Sequence, residues 1–273
     1  MATATKAAPS KFLSKVATTG GNRPNIVVLH GVEGIGKSSL GASAPGAVFG
    51  LSTGETGLQT LIDAGQVDET PYFPEWETWP DVLECVGELI TGKHKFKTLV
   101  VDTLNGVERL CHEHVCRVEF GGDWGKAGFL SFAQGYEVSL TYWRDLLRAL
   151  DQLRTERRMS VLLLCHSAIR TFQNPEGSDY DRYTPDLHRK TWALTARFAD
   201  VVMFGNFYTE VVGARDDAAK GKGKGGTERM LYTVRNAAYD AKNRHGLADE
   251  IPMGDSGPEA WGNFVDAMKG GAK

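Results

Sequence analysis

The chain has 273 residues, a net charge of −3, and 41% hydrophobic and 24% charged residues. That length suits one large domain with a sizeable core. The near-neutral charge excludes a global attraction to nucleic acid, so any such contact must rest on local basic patches. No apolar run approaches the roughly 18 residues of a membrane span.

The first 24 residues, MATATKAAPSKFLSKVATTGGNRP, are small, polar and weakly basic, without the apolar centre of a secretory signal. They are expected to form a flexible, disordered arm, docking through Phe12, Leu13 and Val16 being the alternative, ahead of one domain over residues 25–273. Cysteines at 85, 111, 116 and 165 form no disulfide framework, which suits a reducing cytoplasmic compartment.

Asn25 to His30 is a short apolar run before glycines and predicts a buried strand. GVEGIGKSS follows (Gly31 to Ser39), then a helix from about Lys37 to Ala44, stopped by Pro45-Gly46. Ala47 to Leu51 predicts a second strand. Pro80, Val82, Val86, Leu89 and Ile90 predict a helix closed by Gly92. KTLVVDT (Lys97 to Thr103) is apolar on both faces, as a central parallel strand is.

A helix over about 104–120 carries CHEHVC (Cys111 to Cys116). Its spacing is not that of a zinc site, and it predicts a core-facing turn. A glycine-rich loop from Gly121 leads to a long helix over about 134–157, striped by Tyr136, Leu140, Trp143, Leu147 and Leu150. SVLLLCH (Ser160 to His166) predicts a fourth strand. A polar loop to about Leu187 and a short helix to Phe198 follow.

The runs 200–212 and 229–236 predict strands on either side of a hairpin tip at 213–228, which includes the basic stretch KGKGKGG, Lys220 to Gly226. Ser256 and Glu259 open a last helix as a capping box, and Trp261, Phe264, Val265 and Met268 line its buried face. Alternating strands and helices closed by a C-terminal β-hairpin predict a three-layer α/β fold with a mostly parallel central sheet. Ligands in such sheets sit at the carboxyl ends of the strands.

Gly31-x4-Gly36-Lys37-Ser38 is a complete phosphate-binding P-loop, set between a strand and a helix as the motif requires. The backbone from Gly31 through Val32, Glu33, Gly34, Ile35 and Gly36 to Lys37, Ser38 and Ser39 is expected to wrap the phosphates of ATP. Lys37 is expected to reach the β- and γ-phosphates, and Ser38 to ligate Mg²⁺. Asp102, ending a buried strand beside the loop, is the acidic partner for that metal. Glu55, in LSTGETGL, is the candidate base that orients water, with Glu108 as competitor.

GVEGIGKSS, LSTGETG, LVVDT, LLLCH and YDAKNRHG, in that order, resemble the RecA-like core ATPases of bacteriophages, single-domain relatives of the RecA and RadA recombinases that include single-strand annealing proteins. The resemblance runs from about Asn25 to Pro252. It implies a RecA-like P-loop NTPase in which Glu55 activates water, although STGETG departs from the family's DTEG-like segment. It implies that His166 senses the γ-phosphate. It further implies that Lys242 and Arg244, two apart and so on one side of an extended segment, reach a neighbouring subunit's ATP in a ring or filament.

The family holds single-stranded DNA on two loops, which correspond here to 121–133 and 167–190. The first carries Trp124, Lys126 and Phe129. The second carries Arg170, Phe172, Tyr180, Arg182, Tyr183, Arg189 and Lys190. Cations interleaved with aromatics suit a sequence-tolerant single-strand site; the alternative is that the aromatics pack each loop onto its own domain. The expected function is a Mg-ATP-dependent ATPase that binds single-stranded DNA as a homo-oligomer in phage recombination, annealing or replication, with replication or recombination proteins as partners. The alternatives are a nucleotide-gated DNA- or partner-binding module with little turnover, and a helicase-type motor.

Overall fold

The computed structural model describes residues 16, 23–212 and 222–270. The arm at 1–24 lies almost wholly outside them, as do Phe12, Leu13 and residues 213–221 of the hairpin tip.

Five parallel strands form the centre of the sheet: β1 (Ile26–Gly31), β2 (Ala47–Leu51), β3 (Thr98–Asp102), β4 (Ser160–Phe172) and β6 (Val201–Val212). Their order is β2-β3-β4-β1-β6, so β4 lies between the P-loop strand and the strand that ends at Asp102. The sheet continues antiparallel through β7 (Lys222–Tyr232) and β9 (Glu250–Pro252). β5 (Tyr180–Pro185) pairs with β4, and β8 (Lys242–Asn243) with β6.

The central strands are apolar throughout because both faces are covered. Ile26 and Val28 of β1, Leu99 and Val101 of β3, and Val161 and Leu163 of β4 all enter one core. There they meet α3 (Trp79–Thr91), α4 (Leu104–Glu119), α5 (Gln134–Glu156) and α6 (Arg189–Phe198). The alternate residues Val27, Leu29, Val100, Leu162 and Leu164 enter a second core under α1 (Lys37–Ala42), α2 (Gly57–Asp63) and α7 (Gly257–Gly270). Each fully buried Leu or Val adds roughly 1.5–3 kcal/mol, so the period-2 split fixes the strand faces. The fold is therefore the expected three-layer α/β P-loop architecture, with a mostly parallel central sheet and a closing hairpin.

Local chemistry sets the helix starts. Thr78 and Asp81 make a reciprocal capping box at α3, with Pro80 in the first turn. Thr103 caps α4, and Ser256 Oγ accepts from Glu259 N at α7. Cys111 and Cys116 are buried in the first core, as the core-helix reading of CHEHVC expects.

The stretch after Glu55, for which no element was predicted, holds a short helix, α2. Three expectations are corrected. The polar loop expected to run to Leu187 is largely a hairpin: β4 continues past His166 to Phe172 and pairs with β5 from Ser167↔Pro185 to Phe172↔Tyr180. The return strand β7 begins at Lys222 rather than 229, pairing with Val212, so part of the supposed basic tip is strand backbone. It also ends sooner, at Tyr232.

Candidate nucleotide site

The carboxyl ends of β1, β3 and β4 meet at one cavity of about 430 Å³, lined by the P-loop, Glu55, Asp102, His166 and Arg229. Gly34 (φ 72°) and Gly36 (φ 98°) have left-handed backbones that a side chain would strain. Gly31 is required for a different reason. A Cβ there would stand 2.5 Å from the Gly205 carbonyl oxygen on the neighbouring strand.

Lys37 Nζ donates to the carbonyls of Gly31 (3.1 Å) and Val32 (3.0 Å), inside the curl of the loop. Burial pulls its ammonium pKa below the ordinary value, with the Asp102 carboxylate opposing. Ser38 Oγ donates to Asp102 Oδ2 at 2.7 Å. Asp102 is 5% exposed, and its burial raises the carboxyl pKa, against the Ser38 hydrogen bond and the Lys37 charge. A buried carboxylate held against a hydroxyl at the mouth of a P-loop is an all-oxygen donor pair of the kind Mg²⁺ takes alongside phosphate oxygens. The residues present thus fit the metal.

Glu55 reaches the same space from the loop after β2. Thr103 Oγ1 donates to its Oε1 at 3.0 Å, and His166 Nε2 stands 3.7 Å from that oxygen. The neighbouring His166 imidazole and the Thr103 hydroxyl hold the Glu55 carboxyl below the usual range, against partial burial. Glu55 is thus a carboxylate at neutral pH, able to accept a proton from water. Glu108, its competitor, is occupied elsewhere. Both of its oxygens accept from His188 N at 3.0 Å, at the start of α6.

His166 ends the parallel part of β4 and begins the hairpin. Its backbone N–H donates to Asn105 Oδ1 on α4 at 2.8 Å. A further histidine, His30, joins the P-loop strand to the same hairpin. Its Nε2 lies 2.8 Å from the Asp240 carbonyl and its Nδ1 2.9 Å from Ser167 Oγ. Since a carbonyl only accepts, Nε2 carries the proton and Nδ1 accepts from the Ser167 hydroxyl. Complete burial keeps the ring neutral, with its pKa lowered to about 4.

Arg229 on β7 was not among the residues expected at the site. Its Nε and Nη2 donate to the Gly254 carbonyl (3.1 and 2.6 Å), and its Nη1 would lie 2.9 Å from a Cβ on Gly36. The guanidinium therefore overhangs the last P-loop glycine. A lone arginine in a strand gives no signal in sequence, because only the register Phe207↔Arg229 brings it there.

Lys242 and Arg244 are not brought to this cavity. Lys242 pairs with Val202, beside Val28 of β1, far from the carboxyl end of that strand. Its Nζ donates to the carbonyls of Ala196 and Ala199 (both 2.5 Å), capping the C-terminal end of α6. Arg244 Nη2 donates to Arg197 O at 3.1 Å, and its Nη1 lies 3.8 Å from Asp200.

Several expected DNA contacts are turned inward. Phe129 is fully buried against Tyr136 and Phe120. Arg182, 4% exposed, pairs with Asp240 at 2.6 Å, and Tyr183 packs on Phe204. Arg170 binds Asp186 and the Leu187 carbonyl, and Lys190 pairs with Glu137. Trp124, Lys126 and Arg189 remain exposed, joined by Phe132, which stands fully in solvent. Tyr136, at the start of α5, stacks on His188 at 4.3 Å, which brings the end of the 121–133 loop beside the foot of the hairpin.

Fold and cavity together define a P-loop nucleotide-binding protein. The chain belongs to the AAA domain family, whose model matches residues 23–245. A solved structure, the RadB recombinase, is similar to it at 10% identity with a TM-score of 0.43, over 78% of this chain and 82% of that one; a likeness so distant carries nothing about function. No curated protein matches the chain. No helix among the described residues is long and apolar enough to cross a membrane.

Proposed function

We propose that the protein is a Mg²⁺-dependent ATPase that couples nucleotide state to the grip on single-stranded DNA, working as a homo-oligomer in recombination, annealing or replication of phage type. The observation that carries this reading is the shared carboxylate contact: Glu55, poised beside the P-loop, meets His166, the residue from which the β4–β5 hairpin departs.

In this mechanism the P-loop amides and Lys37 bind and orient the triphosphate. Ser38 and Asp102 would hold Mg²⁺, which neutralises charge on the β- and γ-phosphates when bound. Glu55 orients water for in-line attack and takes its proton. His166 exchanges contacts with Glu55 and the γ-phosphate, so triphosphate and diphosphate favour different settings of the hairpin. DNA bases stack on Trp124 and Phe132, while Lys126 and Arg189 track phosphates. Arg244 is the better candidate for reaching a neighbour's nucleotide, since Lys242 already caps a helix.

The test is binding of a labelled oligothymidine with ATP, with ADP and without nucleotide, beside ATPase rates with and without the strand. Trp124→Ala combined with Phe132→Ala should weaken oligonucleotide binding by about tenfold or more at unchanged nucleotide affinity, since stacking contributes about 1–3 kcal/mol per base. Nucleotide binding without turnover or strand binding would instead favour a nucleotide-gated module.

A further inference from the structure

Beside the amino-terminal ends of the central strands, opposite the P-loop end, five arginines converge on a second cavity, of about 560 Å³. Ile26, which begins β1, donates its N–H to Asp200 in this cavity's wall at 3.0 Å. Gly31 is five residues further along β1, so the cavity lies on the order of 16 Å from the P-loop. It is separate from the nucleotide site of its own subunit.

Arg144, Arg148 and Arg154 reach it from one stripe of α5, Arg23 from the segment before β1, and Arg244 from just after β8. Two carboxylates line it, Asp151 and Asp200, so five positive groups face two negative ones, an excess of three. Asp145, which pairs with Arg148 from outside the lining, lowers that excess only to two.

Arg154 makes the cavity more than a charged patch. It is 4% exposed, and its terminal nitrogens pair with Asp200 and Asp151. Its Nε is buried without a hydrogen-bond partner among the described residues. A guanidinium N–H buried without an acceptor is costly, and the same side chain stands in the cavity's wall. Arg144 is exposed and makes no hydrogen bond or ion pair among the described residues. The floor is apolar: Leu147 and Phe198 line it, and the Arg154 guanidinium sits 5.8 Å from the Phe198 ring centroid.

We propose that this cavity is a second phosphate-binding site, taking the phosphate of a nucleotide or of a single-stranded nucleic acid. Several converging guanidinium forks offer more donors than one carboxylate can accept, whereas a phosphate presents oxygens in every direction. The apolar floor takes the attached sugar or base. The site does not depend on the DNA reading of the 121–133 loop and the hairpin.

The test uses the full chain loaded with one equivalent of a slowly hydrolysed ATP analogue and Mg²⁺, so that the P-loop is filled. Calorimetry with tripolyphosphate and fluorescence anisotropy with a labelled oligothymidine read the second site. The double variant Arg144→Ser, Arg148→Ser changes only exposed side chains, and an unchanged Tm shows that it folds.

The dissociation constant of at least one probe should rise about tenfold, which corresponds to losing one good charged contact. If the oligonucleotide is the affected probe, the salt dependence of its binding should also flatten by about 1.4 in log–log slope for two lost contacts. Loss on tripolyphosphate alone identifies a small phosphate ligand, and loss on the oligonucleotide identifies a strand. Unchanged affinity for both probes in the variant, or no binding of either by the parent, overturns the proposal. Trp124→Ala with Phe132→Ala should leave tripolyphosphate binding intact, which separates this site from the stacking loop.

Discussion

His166 Nε2 stands 3.7 Å from Glu55 Oε1, joining the point where β4 leaves its parallel pairing to the loop after β2 across the intervening strand β3. Asp102, which ends β3, lines the same cavity. The candidate base and the candidate sensor are thus one unit, and each should be separable from binding. Glu55→Gln should lower ATP turnover by about 10²–10⁴ while calorimetric nucleotide affinity stays within about threefold. His166→Ala should keep nucleotide binding but remove the dependence of oligonucleotide affinity on ATP versus ADP. A Glu55→Gln enzyme with parental turnover would assign the base elsewhere.

Arg229 should contribute to nucleotide affinity in cis. Removing a guanidinium that overhangs the P-loop costs about 1.5–3 kcal/mol where it meets phosphate, so Arg229→Ala should raise the ATP dissociation constant by at least about tenfold. Arg229→Lys should recover only part, because an ammonium cannot reproduce the fork held on Gly254. Titration of a fluorescent ATP analogue measures both.

Lys242 and Arg244 should separate into two roles. Lys242→Ala removes the cation on the last carbonyls of α6 and should destabilise the fold by about 1–3 kcal/mol, seen as a lower midpoint in urea. Arg244→Ala, at a half-exposed side chain, should leave that midpoint unchanged. If Arg244 acts in trans, mixing Arg244→Ala with Lys37→Ala should restore turnover that neither has alone. A subunit with an intact P-loop would then sit beside one with an intact arginine. No recovery on mixing removes the trans role.

His30 predicts an acid-side loss of stability. Folded His30 stays neutral down to about pH 4, whereas the unfolded chain protonates it near 6.5. Between those values the unfolded state binds more protons, so stability rises with pH. The contribution is intact above pH 6.5 and falls away toward pH 4, by up to about 3 kcal/mol. His112, also lowered to about 4 by burial, adds to the same slope. Urea midpoints across this window should therefore be flatter for His30→Gln than for the parent, though not flat.

The sequence made the P-loop, the central strands and the two-faced sheet readable because each rests on local pattern: a fixed motif, or apolar runs between breakers. Glu55 and Asp102 were readable from their place after strands. The β4–β5 hairpin was not. Ile169 points outward and Arg182 inward, so the alternation that marks a half-buried strand is inverted there. Lys242 and Arg244 do face the same way, as their spacing implied, since both bond the Arg197 carbonyl. What they face is a helix end, which only tertiary structure decides. For Trp124 the sequence left exposure and packing both open, and the side chain is exposed while its ring also leans on Phe129. Phe129 and Phe132 look alike in sequence, and the left-handed turn at Phe132 and Ala133 puts one in the core and the other in solvent.

The thirteen residues of β4 are one continuous strand, rooted in the sheet as far as His166 and paired only with β5 beyond it. The free part, six residues from Ser167, extends roughly 20 Å. The hairpin is anchored near its root by the His30–Ser167 and Arg182–Asp240 contacts, and a tilt of about 5° there would displace the Phe172 end by nearly 2 Å at that length. If phosphate loss resets His166, as proposed, this length converts a change too small to reshape the packed sheet into one of ångström size at the hairpin's tip.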